Sequence, residues 1–511
     1  MRTFVDDIAT LATRDPHRVA VVGPTGSTAY GELIDRVERL AGGLRSRGAG
    51  PETVCAVAVD RADAVVATAA VIRSGAVFLG LDIEQPPARL AALARTGGAR
   101  MLLTTADLAE RLAGLPVPGP PVLLDDPAPP GERGVLTGPH GRNAAYVSHT
   151  SGSTGEPAPV LIEHRGLDAY LRSVVRDCRL GPDTVALQVA PQGYDASLRD
   201  TLAPLLAGGR VVVVPRAVLM RPAALGAAIR ERGVNTLLSV TPSFLSFIAG
   251  QPDAADILAG VRLVASSGES LRPFLAAGGR GLVAGELINQ YGPTECTMTS
   301  TRHAVPRVGE VGNDGTVRRR AGGGADVVGE PLDHVAVRLL DNDLVPVPDG
   351  ATGEVFIGGP GVARGYRGQP SRTAECFVPD PLGPPGARLY RTGDLARRGP
   401  RGLEYLGRTD RQVKIRGYRV DPAEVEGTLL SHPGVTGAVV TADGDERGRV
   451  FLTAHVTGVP AGVEDAELRS HLLRTLPPHL MPRRFVRRDS LPTTRSGKID
   501  RRALASSGGT S

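Results

Sequence analysis

Apolar residues recur along this chain in two alternating rhythms. Between Gly31 and Gly48, Leu33, Val37, Leu40, Ala41 and Leu44 fall at three- and four-residue spacing, which predicts an amphipathic helix. Val54 to Val59 is a short continuous apolar run and predicts a strand, and Ala62 to Ser74 predicts a buried helix. Val77-Phe78-Leu79 and Met101-Leu102-Leu103 predict two more strands. This alternation continues to Tyr146 and predicts a largely parallel sheet. Pro116 to Arg142 is rich in Pro and Gly and reads as a connector. The rhythm resumes with helices at Leu167–Arg176, Leu198–Leu206 and Ala223–Arg232. Strands are predicted at Thr184–Gln188, Arg210–Val214, Thr236–Val240, Arg262–Ala265 and Leu287–Tyr291. Val308 to Asp326 reads as a surface loop. From Val335 the pattern changes to short alternating strands, at Val335–Leu340, Gly353–Gly358 and Leu403–Gly407, which predict a β-rich subdomain. A domain boundary is expected at Gly407-Arg408-Thr409-Asp410. Beyond it, strands alternate with helices at Pro422–Leu430 and Ala466–Arg474.

Composition narrows the class. A chain of 511 residues exceeds one core and predicts two to four domains. Nine Phe, nine Tyr and no Trp, against 65 Gly and 42 Pro, favour a loop-rich α/β enzyme over a helical bundle. The net charge of +5 is small for this length, and no basic run is interleaved with aromatics, so no nucleic-acid partner is expected. No apolar run approaches a membrane span, and the N-terminus lacks the apolar stretch of a signal peptide. Cys55, Cys178, Cys296 and Cys376 are scattered without a CxxC pair, and read as reduced residues of a cytoplasmic protein.

Thr150-Ser151-Gly152-Ser153-Thr154-Gly155 lies between the apolar runs Ala144–Val147 and Val160–Ile162, and so forms a loop between two strands. Its glycines allow successive N–H groups to face one concavity, and its hydroxyls add donors: a nest for the phosphates of a nucleotide. A flexible Gly/Ser turn has the same composition. The cations are also skewed. There are 57 arginines but two lysines, Lys414 and Lys498. Chance survival under a codon bias is one reading. Two sites that need a slim, mobile point charge rather than a planar fork are the other.

Five stretches then occur in order: Thr150–Gly155, Tyr291-Gly292-Pro293-Thr294-Glu295, Tyr390-Arg391-Thr392-Gly393-Asp394-Leu395, Gly407–Gly417 and Ser496-Gly497-Lys498-Ile499-Asp500-Arg501. On these residues the chain resembles the adenylate-forming superfamily, and within it the amino-acid adenylation domains of nonribosomal peptide synthetases, over roughly residues 25 to 504. The resemblance implies an α/β fold. A large N-terminal domain (1–409) would hold two α/β subdomains and a small β-barrel subdomain. A small mobile α+β C-terminal domain (410–504) would follow, with a disordered tail (505–511). It implies activation of a carboxylic acid by Mg²⁺ and ATP, followed by transfer to a thiol. ATP or AMP would be held by Thr150, Ser151, Gly152, Ser153, Thr154 and Gly155, by Tyr291, Gly292 and Thr294, and by Asp394 and Arg408. Glu295 would bind Mg²⁺, and a hard carboxylate oxygen suits that ion. Lys498 would serve the adenylation step and Lys414 the thioester step, with Asp410 as the hinge between them. Plainer roles are a turn residue for Glu295, a helix cap or turn for Asp394 and a surface cation for Lys414.

Asp195, in Tyr194-Asp195-Ala196-Ser197, would pair with the α-ammonium of an amino-acid substrate; a helix N-cap is its structural alternative. The resemblance places Ala196, Arg199, Ser239, Ala265, Ser267, Gln290, Met298 and Thr299 around the substrate side chain. A buried Arg needs a counter-charge, which a glutamate- or aspartate-like substrate would supply. If Arg199 instead pairs with Asp200 or points to solvent, a small neutral pocket remains. Three departures from the family pattern stand out. Glu156-Pro157-Ala158-Pro159 lacks the usual loop lysine and glycine, which implies weaker ATP binding or turnover. His149 replaces a tyrosine, and Gly80 stands where proline is common. Neither a carrier segment after Leu504 nor a condensation domain before the core is expected. A stand-alone ligase would therefore use a peptidyl carrier protein in trans, with a small activator protein as a possible further partner. An acyl-CoA ligase and a weakened ligand-binding homologue are the rival readings.

Overall fold

The computed structural model describes residues 3–124, 139–151, 156–307, 326–445, 449–460, 462–492 and 499–506. A seven-stranded sheet has the order Gly365–Tyr366, Ala158–Glu163, Ala144–Thr150, Val77–Gly80, Val54–Ala58, Met101–Thr104, Val122–Leu123. The last five strands are parallel, as the βα alternation predicts. The first two join antiparallel, because Ala158–Glu163 returns directly from Ala144–Thr150. Helix Arg61–Ser74 is apolar on every side, since it packs between helix Tyr30–Ser46 and helix Ala196–Leu206.

A second sheet of 14 strands carries the parallel run Val185–Leu187, Thr236–Val240, Leu263–Ser267 and Glu286–Tyr291. Antiparallel strands then lead from this run into the expected β-rich subdomain. Strands Thr301–Ala304 and Asp326–Pro331 pair antiparallel onto Glu286–Tyr291 and carry the sheet straight into the strands of the β-rich region. Among the described residues that path stays open from Ala336–Leu340 to Ser27–Ala29. The long strand Arg388–Gly399 pairs antiparallel with Thr352–Gly358 on one side and Gly402–Arg408 on the other.

A further core gathers Ile415, Val425, Leu429, Val440, Leu452 and Leu468 with their neighbours. It lies under a three-stranded sheet, Gly437–Gly444, Val450–Thr457 and Arg484–Arg487, and helices Pro422–Leu430 and Asp465–Leu473. A two-stranded hairpin, Val413–Ile415 with Tyr418–Val420, projects from this unit toward the large one. Helix Arg501–Ser506 carries the chain two residues past the expected end of the C-terminal domain at 504. Among the described residues, no helix is long and apolar enough to cross a membrane, and the four cysteines are unpaired.

Candidate active site

The ends of the parallel strands meet at the hairpin. Strand Glu286–Tyr291 ends in Tyr291, whose hydroxyl donates to Asp394 Oδ2 at 2.6 Å. Arg408 Nη1 donates to Asp394 Oδ1 at 2.5 Å, while its Nε and Nη2 reach Asp410 at 2.7 Å. Asp394 thus caps no helix; it lies inside strand Arg388–Gly399, paired across to Arg408. The turn after Tyr291 requires glycine: a Cβ on Gly292 would lie 2.5 Å from Met298 O and 2.6 Å from Ser300 N. The left-handed Thr297 and Met298 follow and fold the chain back.

Glu295 is 0 % exposed. Tyr366 donates to its Oε1 at 2.7 Å, and Arg419 Nη1 lies 3.1 Å from both carboxylate oxygens. Burial works to raise the pKa of Glu295, but the charge of Arg419 and the Tyr366 hydroxyl outweigh it and hold it below the usual range. Among the described residues, Thr150 Oγ1 is buried without a partner, and Ser151 donates to Arg419 O at 2.7 Å. Gly152, Ser153, Thr154, Gly155 and Lys498 lie outside the described residues. Among the described residues, no cluster of three His, Cys, Asp or Glu side chains could hold a metal. A buried carboxylate held ionised fits Mg²⁺, which keeps waters and takes phosphate oxygens as its other ligands.

Lys414 is half-buried, with its ammonium turned against two aromatic rings. Its Nζ sits 5.3 Å from the Tyr291 ring centre and 5.4 Å from that of Tyr405. Burial lowers its pKa, and Asp394 opposes that shift.

Asp195 precedes helix Ala196–Leu206, yet its side chain makes no capping bond, and its Oδ2 is buried without a partner. Burial raises its pKa to about 6 against the pull of Arg199 and the Thr294 hydroxyl. It lines a cavity with Phe78, Gly80, Tyr146, Ser148 and Gln192. A Cβ on Gly80 would lie 2.2 Å from Gln192 O, so the departure at position 80 fits a close backbone approach beside that cavity.

Arg199 is completely enclosed. Its Nε donates to Ser239 at 2.9 Å, and its Nη1 to Tyr170, Gln290 and Thr299 at 3.1, 2.8 and 3.1 Å. Nη2 has only Ser267, at 3.4 Å. Every acceptor in that list is neutral. Asp200, the partner considered for it, instead accepts from the backbone N–H groups of Val189 and Ala190. Arg199 therefore neither reaches solvent nor forms an ion pair among the described residues. Ala196 O accepts from Ser239, and Ala265 and Met298 are buried close by in sequence-adjacent strand and turn. Among the described residues, Gln290 Nε2 is a donor without a partner. Tyr170, on helix His164–Asp177, was not foreseen: its hydroxyl meets both Thr299 and Arg199. The periodicity of that helix marks Tyr170 as core, and nothing local in the sequence reveals the hydroxyl's partners.

His149 is half-buried on strand Ala144–Thr150. It meets Thr96 at 2.9 Å, and burial lowers its pKa to about 3, so it is neutral.

Sheet, turn and carboxylates gather at the strand ends, where parallel α/β sheets place their ligands. The family model of AMP-binding enzymes matches residues 8–367, and that of the AMP-binding enzyme C-terminal domain matches residues 424–498. The chain belongs to the AMP-binding enzymes, the adenylate-forming superfamily. It is 41% identical over 519 residues to the phosphinothricin tripeptide synthetase PhsC of Streptomyces viridochromogenes, covering 98% of this chain and 45% of that protein. It is 34% identical over 503 residues to a dimodular nonribosomal peptide synthase of Bacillus subtilis, covering 96% of this chain and 20% of that protein. The chain thus spans less than half the length of these relatives. Among solved structures, it resembles holo-PA1221, an NRPS protein containing adenylation and PCP domains, with TM-score 0.81 and 28% identity, covering 98% of this chain and 84% of that one. The fused adenylation–PCP protein NpsA-ThdA of Klebsiella oxytoca gives TM-score 0.82 and 25% identity, covering 95% and 94%.

Proposed function

We propose that this chain activates an amino acid with an acidic side chain as its aminoacyl-adenylate, and passes the acyl group to the phosphopantetheine thiol of a carrier protein. The observation that carries the reading is the pair of incomplete buried groups, Asp195 and Arg199. The unpaired Oδ2 of Asp195 offers an acceptor for the substrate ammonium. Arg199 Nη2 and Gln290 Nε2 offer two donors for a side-chain carboxylate. An acidic substrate would satisfy all three at once.

In this reading, the substrate carboxylate attacks the α-phosphate of ATP, an acyl–phosphate bond forms and pyrophosphate leaves. The bound Mg²⁺ would supply charge neutralisation on the phosphates. Tyr291 and Asp394 would hold adenosine, with Asp394 accepting from the ribose hydroxyls. Lys498 would stabilise charge developing between the carboxylate and the α-phosphate. The thiol then attacks the activated carbonyl and AMP departs. Lys414, already in the site against Tyr291, suits that second step. The neighbours that join adenylation and PCP domains support a carrier as acceptor.

ATP–pyrophosphate exchange across a panel of amino acids tests the first half. Glutamate, aspartate or a close acidic analogue is expected to give the strongest exchange. Exchange with none of the standard amino acids or their common derivatives would overturn the reading. Thioester formation on a separately supplied carrier protein, and not on free coenzyme A, tests the second half.

A further inference from the structure

Arg419 occupies two places at once. Its guanidinium covers both oxygens of Glu295, and its carbonyl oxygen accepts from Ser151, the second residue of the phosphate loop. The next turn of chain repeats the contact, with Asp421 N donating to Ser151 Oγ at 3.1 Å. The hairpin bearing Arg419 belongs to the C-terminal unit and is seated by its own contacts. Gly417 N donates to Glu269 Oε1 at 2.6 Å, and the Gly417 and Gly268 backbones approach so closely that a Cβ on Gly268 would lie 2.9 Å from Gly417 O.

We propose that Arg419 replaces the divalent cation on Glu295, so that the hairpin and the metal–pyrophosphate product exclude each other. The proposal rests on the reading of Glu295 as the metal carboxylate and of Thr150–Gly155 as the phosphate loop. A fully buried carboxylate is costly without a positive partner. When the metal leaves with pyrophosphate, Glu295 would be left uncompensated, and the guanidinium of Arg419 supplies the missing charge. Two cations cannot share these oxygens, and the hairpin's hold on Ser151 takes a loop donor that phosphate would use. The orientation that brings Lys414 against Tyr291 is thus stabilised only after pyrophosphate and metal have gone. Arg419 orders the two half-reactions as a positioning residue and touches neither acyl group nor thiol.

Calorimetric titration of the full chain with Mn²⁺ and inorganic pyrophosphate tests this without turnover. Arg419→Gln is expected to bind the pair about five- to tenfold more tightly than the parent, because the internal competitor is gone. Gly417→Ala provides an independent route. Its new Cβ would lie 2.3 Å from Thr241 Cγ2 at a φ of +83°, which unseats the hairpin while leaving every metal-binding group intact. It too is expected to tighten binding. A gain of affinity is not an outcome that simple loss of fold produces. Binding at parental or weaker affinity in both variants overturns the proposal. If the parent itself binds no Mn²⁺–pyrophosphate, the assignment of Glu295 as the metal carboxylate falls along with it. If the parent binds and the variants are unchanged, the proposal alone falls.

Discussion

The charges of Asp195 and Arg199 act on one another, and each sets the other's chemistry. Burial keeps the proton on Asp195 up to about pH 6, whereas the unfolded chain loses it near 3.8. Between those values the folded state holds more protons than the unfolded one, so this group's contribution to stability falls as pH rises through the window. Above about pH 6 the full cost, roughly 3 kcal/mol, is present in the free enzyme. Asp195→Asn is therefore expected to melt higher than the parent at pH 8, by a few degrees, with the gap closing toward pH 4. The same variant is expected to lose activation roughly a hundredfold or more, because the ammonium then meets no anion. Thermal melts at the two pH values, alongside exchange assays, check both signs. Arg199→Met makes the companion case. The change removes the donors for a carboxylate and leaves an apolar floor of similar length. Exchange with an acidic amino acid is expected to fall about 100-fold, with preference moving to Met- or Leu-like substrates, as kcat/KM across the panel will report. It also removes a charge that lowers the pKa of Asp195, so the acid limb of the remaining activity is expected to move to higher pH. At this scale the sequence predicts placement where a motif fixes residue and turn: Glu295 follows the turn at a strand end and Asp394 lies beside Arg408. It was silent on Tyr170 and Arg419, whose roles depend on partners more than a hundred positions away.

Elements were legible when their burial is one-sided or complete. Helix Tyr30–Ser46 and the strands Val54–Ala58 and Met101–Thr104 fall within a residue or two of the hydrophobic pattern, because each answers to a single neighbour sheet. What the pattern could not carry is pairing. Strands such as Thr301–Ala304 read alike whether they close a barrel or continue a sheet, and only the partner strand decides. Close backbone contacts were equally hidden. Gly80 ends strand Val77–Gly80 against the carbonyl of Gln192, beside the cavity that Asp195 lines. Because the obstructing atom is backbone, it cannot rotate away. Gly80→Ala is expected to cost about 1–3 kcal/mol, seen as a lower denaturation midpoint with an unchanged slope. It is also expected to raise the KM for the amino acid, since the strand and the loop bearing Asp195 must part to admit the methyl group. A lower midpoint with an unaltered KM would mean that the cavity wall is not coupled to substrate binding.

The two units of the molecule meet across charges that neither could bury alone. Arg89, on helix Pro87–Gly97, reaches Glu424 at 2.6 Å, and Glu424 is 0 % exposed at the start of helix Pro422–Leu430. The ring of Tyr418 stacks on His479 at 3.8 Å and meets Tyr194 of the large unit at 4.8 Å. These contacts belong to one orientation of the small unit, the one that brings Lys414 to Tyr291 and Arg419 to Glu295. Removing Arg89 leaves a carboxylate buried in that orientation alone. The cost is of the order of 3–5 kcal/mol and, under the proposed alternation of the small unit between the two half-reactions, falls on this orientation. The other states, in which Glu424 regains water, do not carry it. Arg89 is not among the groups assigned to nucleotide or substrate. Arg89→Gln is thus expected to slow thioester formation on the carrier about tenfold or more, while amino-acid-dependent exchange stays within about twofold of the parent. Single-turnover transfer, measured against exchange on the same preparation, separates the two. Equal losses in both would mean that the pair supports the fold as a whole rather than selecting one orientation for the second half-reaction.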